Sequence, residues 1–174
     1  MGQYYLAIIL ADKEESKPEI IRIFMEMVGA KLTEHSYLCN PSVNAFEYQL
    51  TKEGMFYKSR VVWAGDYADN EEGINKNLYH ITEEYPNKYL SIKEKDMKEY
   101  FYIINHSKKQ FVDKRKHSSY HPLPLLTAEG NGRGGGDYSG KSEELVGIWS
   151  RDLISIEKDK PEGFDEFECD FEKE

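Results

Sequence analysis

The eight residues QYYLAIIL at positions 3–10 decide the fold of this chain. They form a continuous apolar run rich in aromatic and β-branched side chains, which is typical of a strand that is buried on both faces. We therefore predict a central strand here, with the rest of a sheet assembled around it. The run is far shorter than the roughly 18 apolar residues of a membrane span, so we expect no transmembrane segment.

Further strands are predicted where the chain is apolar or alternating, at residues 32–38, 59–64, 99–106, 110–113 and 152–156. Two amphipathic helices are expected in the N-terminal half. The first follows Pro18, has apolar residues at spacings of three and four, and ends at Gly29, whereas the second spans residues 42–50 after the capping pair Asn40-Pro41. Since 174 residues is the length of one ordinary domain, we predict a single α/β or α+β domain with a mixed, largely antiparallel sheet.

Two stretches are expected to depart from this pattern. Residues 117–124 carry two prolines in three positions, which predicts irregular backbone. Residues 157–174 hold nine acidic and three basic residues, a net charge of −6, which leaves −3 for residues 1–156. We therefore predict a globular domain over residues 1–156 and an acidic tail with three phenylalanines at helical spacing, either docked on the body or free to meet a partner.

Composition excludes several classes of protein. Cys39 and Cys169 belong to no paired motif, which favours a reducing cytoplasm over a disulfide framework or a zinc site. A body with a charge near −3 argues against broad nucleic-acid binding, for which a basic face is expected. A local basic pocket is still compatible with this charge. The one basic cluster in the sequence comprises Lys108-Lys109 and residues 114–116. Its alternative interpretation is a solvated hairpin.

Six of the eleven residues from 130 to 140 are glycine, which predicts a long loop that lies against something else. Residues 135–142 match the phosphate-binding pattern G-x-x-x-x-G-K-[ST], but the preceding segment is broken by proline and no magnesium-binding strand follows. Glycine amides can still form an anion-binding nest, with Arg133 or Lys141 supplying charge. The alternative is a connection that covers the edge of the sheet.

The turn at residues 63–69 combines an aromatic platform with two carboxylates three positions apart. Trp63 and Tyr67 can contact a base or ribose, and Asp66 can bind a cation or act as a general base. The structural alternative places Trp63 in the core and the acids at the ends of a solvated turn. The spacing of a calcium-binding loop is absent, so neither a metal nor a cofactor is expected.

Histidine chemistry is the remaining catalytic possibility. His35 and His121 both lie beside irregular backbone and can act as general acids or bases, although each can equally be a hydrogen-bonded structural group. No nucleophile motif accompanies them. We therefore favour binding over catalysis and leave enzymatic activity open.

Short segments recur along the chain. Residues 4–9 resemble residues 100–104, residues 60–63 resemble residues 145–149, and the Gly-Asp-Tyr sequence at position 65 recurs at position 136. Either an internal duplication or chance explains these echoes, because short aromatic strands recur easily.

Longer motifs carry a resemblance to other proteins. They are GQYY at residues 2–5, EHSYLCN at 34–40, RVVWAGDYAD at 60–69 and HPLPLLTAEGNGRGGGDY at 121–138. On these motifs the chain resembles a family of small uncharacterised proteins from bacteriophages and bacterial genomes, to which no established activity is attached. The resemblance implies a context of host defence or host regulation, in which such proteins sequester or degrade a nucleotide signal or bind a host protein.

The resulting expectation is a protein that sequesters a phosphate-bearing small molecule, with a nucleotide the leading example. Its ligand-binding residues are predicted to be Arg60, Trp63, Asp66, Tyr67, His121, Asn131, Arg133, Asp137 and Tyr138. The arginines would meet phosphate, the aromatic residues would frame a base and the aspartates would accept ribose hydroxyls. An inhibitor or adaptor that acts on a host protein, and a nucleotide-cleaving hydrolase with His121 or Asp66 as base, are the alternatives. Whether the protein forms a homo-oligomer is left open by the sequence.

Overall fold

A computed structural model describes residues 3–11, 19–24, 30–90, 93, 95–131 and 138–172 of the chain. Strand β1 (Tyr5–Leu10) is buried at all six positions and lies between two antiparallel neighbours, β2 (Ile20–Phe24) and β3 (Ser59–Gly65). Its alternate side chains enter two different apolar layers, one on each face of the sheet. The prediction of a central, doubly buried strand is therefore confirmed.

The fold is α+β, with one nine-stranded mixed sheet and a few short helices. The strand order is β4-β2-β1-β3-β8-β5-β6-β9, and β7 pairs with β3 beside that path. The remaining strands are β4 (Tyr89–Leu90), β5 (Tyr102–Asn105), β6 (Gln110–Asp113), β7 (Ala128–Glu129), β8 (Leu153–Glu157) and β9 (Asp165–Glu166). The predicted strands at residues 59–64, 99–106, 110–113 and 152–156 correspond to β3, β5, β6 and β8.

The sheet consists of two units with the same topology. In the first, β1 pairs antiparallel with β2 and β3, and β4 joins β2 in parallel. In the second, β5 pairs antiparallel with β6 and β8, and β9 joins β6 in parallel. The antiparallel contact between β3 and β8 joins the units at the centre of the sheet. This arrangement is the one that an internal duplication would produce.

The sequence echoes agree with this symmetry only in part. Residues 4–9 and 100–104 fall on or next to β1 and β5, the first strands of the two units. Residues 145–149 are turns rather than a counterpart of β3, because β8 holds that position in the second unit. The third echo cannot be compared, because residues 136 and 137 of its second copy lie outside the described residues.

Two predictions for the N-terminal half are wrong. The segment predicted as the first helix contains β2, since residues 20–24 are rich in β-branched side chains and pair along β1. The segment predicted as a strand at residues 32–38 begins with a helical turn, α1 (Leu32–His35). A short apolar run fits the repeat of a helix as well as that of a strand. For residues 20–24, pairing with β1 selects the strand.

Helices α2 (Pro41–Gln49) and α4 (Pro122–Thr127) both begin at an N-cap residue followed by proline. The prediction of α2 is confirmed, because the Asn40 side chain accepts a hydrogen bond from the Ser42 amide at 2.9 Å. The prediction of irregular backbone at 117–124 is wrong in its last part. The two prolines of α4 occupy its first turn, where backbone N–H groups need no intrahelical partner.

The two faces of the sheet are covered differently. On one face α2 packs Phe46 edge-on against Phe24 and Trp63, with ring centroids 4.7 and 5.1 Å apart. On the other face lie α3 (Leu78–Ile81) and two 3-10 turns, Thr82–Glu84 and Pro86–Lys88. These elements give order to residues 74–90, for which the sequence indicated no clear structure.

The acidic tail belongs to the folded domain. β9 pairs with β6, and the amide of Phe167 donates to the Phe111 carbonyl at 2.8 Å. Phe171 is fully buried and contacts the Tyr138 ring edge-on. The tail is therefore extended rather than helical, and of the two alternatives the docked tail is the one the structure has, with the packed chain continuing to Glu172.

Candidate functional site

The two segments that the sequence analysis expected to form a site lie next to each other. β7, which leads into the glycine-rich stretch, pairs in parallel with the end of β3. A Cβ atom on Gly65 would lie 2.9 Å from the Glu129 carbonyl oxygen, so this close approach requires glycine. The Asn131 amide donates to the Gln3 side-chain oxygen at 3.2 Å. Arg133 and Asp137, the other candidates in this stretch, lie outside the described residues.

Trp63 cannot frame a base in this structure. Its side chain is fully buried, and its indole N–H donates to His35 Nδ1 at 2.5 Å. Phe46 packs against the indole edge-on. The sequence prediction for Trp63 is therefore wrong, and the structural alternative, a core tryptophan, is the correct one.

Arg60, Asp66 and Tyr67 do not converge on one site. The Asp66 carboxylate accepts a hydrogen bond from the Tyr4 amide at 2.9 Å and so closes the end of the β1–β3 pair. Arg60 lies at the start of β3, about 20 Å from Asp66 at the usual rise of a strand, and donates to the Arg151 carbonyl at 3.1 Å. Tyr67 is 47 % exposed. Asp66 therefore has a structural role, and Arg60 is too distant to share a ligand with it.

Tyr138 is also a core residue. It is 2 % exposed, its hydroxyl donates to the Lys141 carbonyl at 2.6 Å, and its ring contacts Tyr120 and Phe171. Burial and the neighbouring Tyr120 raise the pKa of Tyr138 to about 12. The ring is therefore closed to a ligand. A 3-10 turn, Glu143–Leu145, follows the Lys-Ser pair of the phosphate-binding pattern where that pattern requires an α-helix.

A buried ion cluster, which the sequence did not predict, fixes the end of β7. The Arg151 guanidinium binds Glu129 through two hydrogen bonds of 2.6 and 2.8 Å and also binds Glu71. Burial alone would lower the pKa of Arg151, but the hydrogen bonds to Glu129 and Glu71 outweigh it and raise that pKa. Among the described residues, this cluster places two carboxylates against one guanidinium.

A cleft of about 650 Å³ opens beside α2, and we call it the α2 cleft. It is bounded by α2, by residues 95–101, by the 3-10 turn Lys114–Lys116 and by the start of α4. The ionisable residues of its lining are Cys39, Glu47, Lys95, Asp96, Lys98, Tyr100, Lys114, Arg115 and His121. The volume lies within the range of small-molecule sites, about 300–1,000 Å³.

Glu47 lies at the base of the α2 cleft and is fully buried. One carboxylate oxygen lies 2.8 Å from Lys114 Nζ and the other lies 2.8 Å from His121 Nε2. Burial alone would raise the pKa of Glu47, but Lys114 and His121 act in the opposite direction and hold it at about 2. The carboxylate is therefore ionised at neutral pH, and Lys114 is fixed in place by it.

Among the predicted site residues that the structure describes, His121 alone lines the α2 cleft. Its Nδ1 accepts a hydrogen bond from the Leu123 amide at 3.1 Å, so the ring proton is on Nε2 and is donated to Glu47. Both ring nitrogens are therefore engaged, and the imidazole is 2 % exposed. The expectation that His121 is a general base is wrong for this arrangement, because neither nitrogen can take a proton from a ligand.

Positive charge in the α2 cleft comes from side chains at its rim. Met97 is 7 % exposed and anchors residues 95–101, whereas Lys95 and Lys98 on either side of it are exposed. Neither ammonium has a carboxylate partner in the part of the chain that the structure describes. Lys95 lies 5.1 Å from the centre of the Tyr48 ring. Asp96 lies between them, also lines the cleft and accepts a hydrogen bond from the Lys98 amide at 3.0 Å. The rim therefore carries two ammonium groups and one carboxylate.

The sequence contained partial signals for the α2 cleft. The basic cluster at residues 114–116 was identified, with a solvated hairpin as its alternative, and two of its members line the cleft. Glu47 was missed, although it lies four residues after Val43 and three before Leu50, on the inward face of α2. A carboxylate on an apolar face indicates a buried charge that needs a partner.

Protonation of Glu47 should destabilise the protein at low pH. The pKa of Glu47 is about 2 in the folded state and 4.5 ordinarily, so the folded state favours the ionised form. The resulting stability, on the order of 3 kcal/mol, is fully present above pH 4.5 and is lost as the pH falls toward 2. As the pH is lowered, the free energy of unfolding measured with urea should fall more steeply in the wild type than in Glu47→Gln. Parallel curves would contradict this assignment.

Among the described residues, no helix is both long enough and apolar enough to cross a bilayer. Within the same ranges, no group of three or more histidine, cysteine, aspartate or glutamate side chains could hold a metal ion.

Comparison with known proteins adds no relative. No family model, no curated protein and no solved structure matches this chain. The resemblance to a phage-type family therefore stays a prediction, and any statement about function depends on the geometry of the site.

Proposed function

We propose that this protein binds a small phosphate-bearing molecule in the α2 cleft. One observation carries the proposal: Lys95 and Lys98, exposed and without carboxylate partners in the described residues, line the same cleft as Lys114 and Arg115. Several cationic side chains around one concave surface attract anions and hold them through charge-assisted hydrogen bonds. The proposal keeps the ligand class expected from the sequence and moves its site from the glycine-rich stretch to the α2 cleft.

The electrostatics of the cleft fit a multiply charged anion. Lys114 is already neutralised by Glu47 at the base, so the unpaired lysines at the rim would supply the charge for the ligand. An ammonium is a flexible point charge that adapts to several phosphate geometries. A phosphate group would therefore lie at the rim, with the rest of the molecule directed into the cleft.

Sequestration fits this site better than cleavage. Of the two bases named for a hydrolase, His121 has both nitrogens engaged and Asp66 accepts a backbone hydrogen bond at the far end of β3. The adaptor alternative that used a free acidic tail is not favoured either, because the tail packs on β6. In the phage context that the resemblance implies, such binding would remove a signalling molecule from the host cytoplasm.

Neutralising the two rim lysines should weaken binding of phosphate-bearing ligands. Calorimetry with inorganic phosphate, ribose 5-phosphate and adenosine 5′-monophosphate would compare the wild type with Lys95→Gln/Lys98→Gln. We expect a loss of at least about tenfold in affinity, because one charge-assisted hydrogen bond contributes about 1.5 kcal/mol. Affinity should also fall with added salt.

A matched control removes the same charge elsewhere. Lys52 and Lys76 are exposed and pair with Glu157 and Glu84, away from the α2 cleft. Lys52→Gln/Lys76→Gln should bind like the wild type. Equal losses in the two double variants would mean that net charge alone attracts the ligand, and an absence of binding at millimolar ligand would exclude the proposed function.

A further inference from the structure

Arg115 has an unusually fixed guanidinium for an exposed side chain. Its Nε donates to one Asp113 oxygen at 3.0 Å and its Nη2 donates to the other at 2.9 Å, which is the two-point geometry of an arginine–carboxylate pair. Nη2 also donates to the Tyr102 hydroxyl at 2.9 Å. Asp113 caps the 3-10 turn as well, accepting from the Arg115 amide at 3.0 Å. The plane of the guanidinium is therefore set before any ligand arrives.

Two aromatic rings lie beside the guanidinium. Its carbon is 4.4 Å from the centre of the Phe101 ring and 5.5 Å from the centre of the Tyr102 ring, both within the range of a cation–π contact. The Arg115 side chain is nevertheless 53 % exposed and lines the α2 cleft. A flat, rigid cation backed by an aromatic ring is thus presented to the same cleft as the two rim lysines.

We propose that the ligand of the α2 cleft is a nucleotide whose base stacks on the Arg115 guanidinium. Planar bases stack on guanidinium planes as they do on aromatic rings, and the cation strengthens the contact. The phosphate of the same molecule meets Lys95 and Lys98. This inference rests on the proposed function and adds to it the chemical class of the ligand, a base joined to a phosphate.

Arginine is required for this role because of its shape. A lysine at position 115 would keep the positive charge but would offer neither the plane that stacks nor the fork that binds Asp113 at two points. A sugar phosphate has no base and so cannot stack on the Arg115 guanidinium. Stacking on Arg115 should therefore raise the affinity for nucleotides alone, whereas the rim lysines bind the phosphate of either kind of ligand.

Calorimetry with adenosine 5′-monophosphate and ribose 5-phosphate tests the inference. We expect the nucleotide to bind the wild type at least about tenfold more tightly than the sugar phosphate. In Arg115→Lys this preference should disappear, because the affinity for the nucleotide should fall to about that for the sugar phosphate. Phe101→Leu, which removes the ring behind the guanidinium, should reduce the preference in the same direction, and unchanged thermal unfolding of both variants would establish that they are folded.

The outcomes separate the two proposals. Equal affinities for the nucleotide and the sugar phosphate, or a preference that survives in Arg115→Lys, would overturn the stacking role and leave the phosphate site in place. Failure of both ligands to bind the wild type would overturn the proposed function together with the inference. Weaker binding of both ligands in Lys95→Gln/Lys98→Gln with the preference retained, together with loss of the preference in Arg115→Lys, would support both.

Discussion

Glu47→Gln should lower the free energy of unfolding by about 3–5 kcal/mol, because it breaks a buried ion pair while leaving the cation in place. The glutamine carbonyl can still accept from His121 Nε2, but its amide group would face the Lys114 ammonium as donor against donor. Urea unfolding at pH 7 measures the loss directly.

The cause of that loss can be isolated with a second substitution. Lys114→Met in the Glu47→Gln background removes the unpaired ammonium, so the double variant should be more stable than Glu47→Gln alone. Glu72→Gln is the matched control, since Glu72 is exposed, and it should stay within about 0.5 kcal/mol of the wild type. A Glu47→Gln protein as stable as this control would contradict the buried ion pair.

Phe171→Ala should destabilise the protein by about 3–5 kcal/mol, the usual cost of truncating a buried phenylalanine. Phe171 is fully buried, and its ring lies 5.9 Å from that of Tyr138 between centroids. The substitution would leave a cavity where the acidic tail meets the body. Chemical denaturation followed by tryptophan fluorescence is suitable, because Trp149 contacts Phe167 of the same tail.

Tyr67→Ala serves as the control for Phe171→Ala. Tyr67 is 47 % exposed, so removal of its ring should change the free energy of unfolding by no more than about 0.5 kcal/mol. If Phe171→Ala were equally mild, the tail would be separable from the domain, as its composition suggested. Deletion of the tail would remove β9 and part of the core, so it cannot test partner binding by the tail alone.

The sequence predicted the parts of the fold that depend on local pattern. The apolar run at β1, the strands β3, β5, β6 and β8, and the capped helix α2 all follow from composition, alternation or capping. The segment at residues 20–24 was assigned to a helix because its spacing fits both periods, and only pairing with β1 separates them. The short strands β4, β7 and β9 have two residues each and exist through their partners alone.

The site was harder to predict than the fold. Aromatic and acidic residues at a strand end suggested ligand contacts, but Trp63 and Tyr138 fill the core and Asp66 closes a strand pair. The α2 cleft joins residues from three separate parts of the chain, within 38–47, 95–101 and 114–121. No local pattern links Glu47 to Lys114, because their contact spans 67 positions and arises from the packing of α2 on the second unit.

The measurement that most directly tests the site is a titration of ¹⁵N-labelled protein with adenosine 5′-monophosphate, followed by backbone amide chemical shifts. Binding in the α2 cleft predicts the largest changes at residues 95–101 and 114–115, with residues 128–131 little affected. Changes centred on residues 128–131, or no changes at millimolar nucleotide, would contradict the α2 cleft as the binding site.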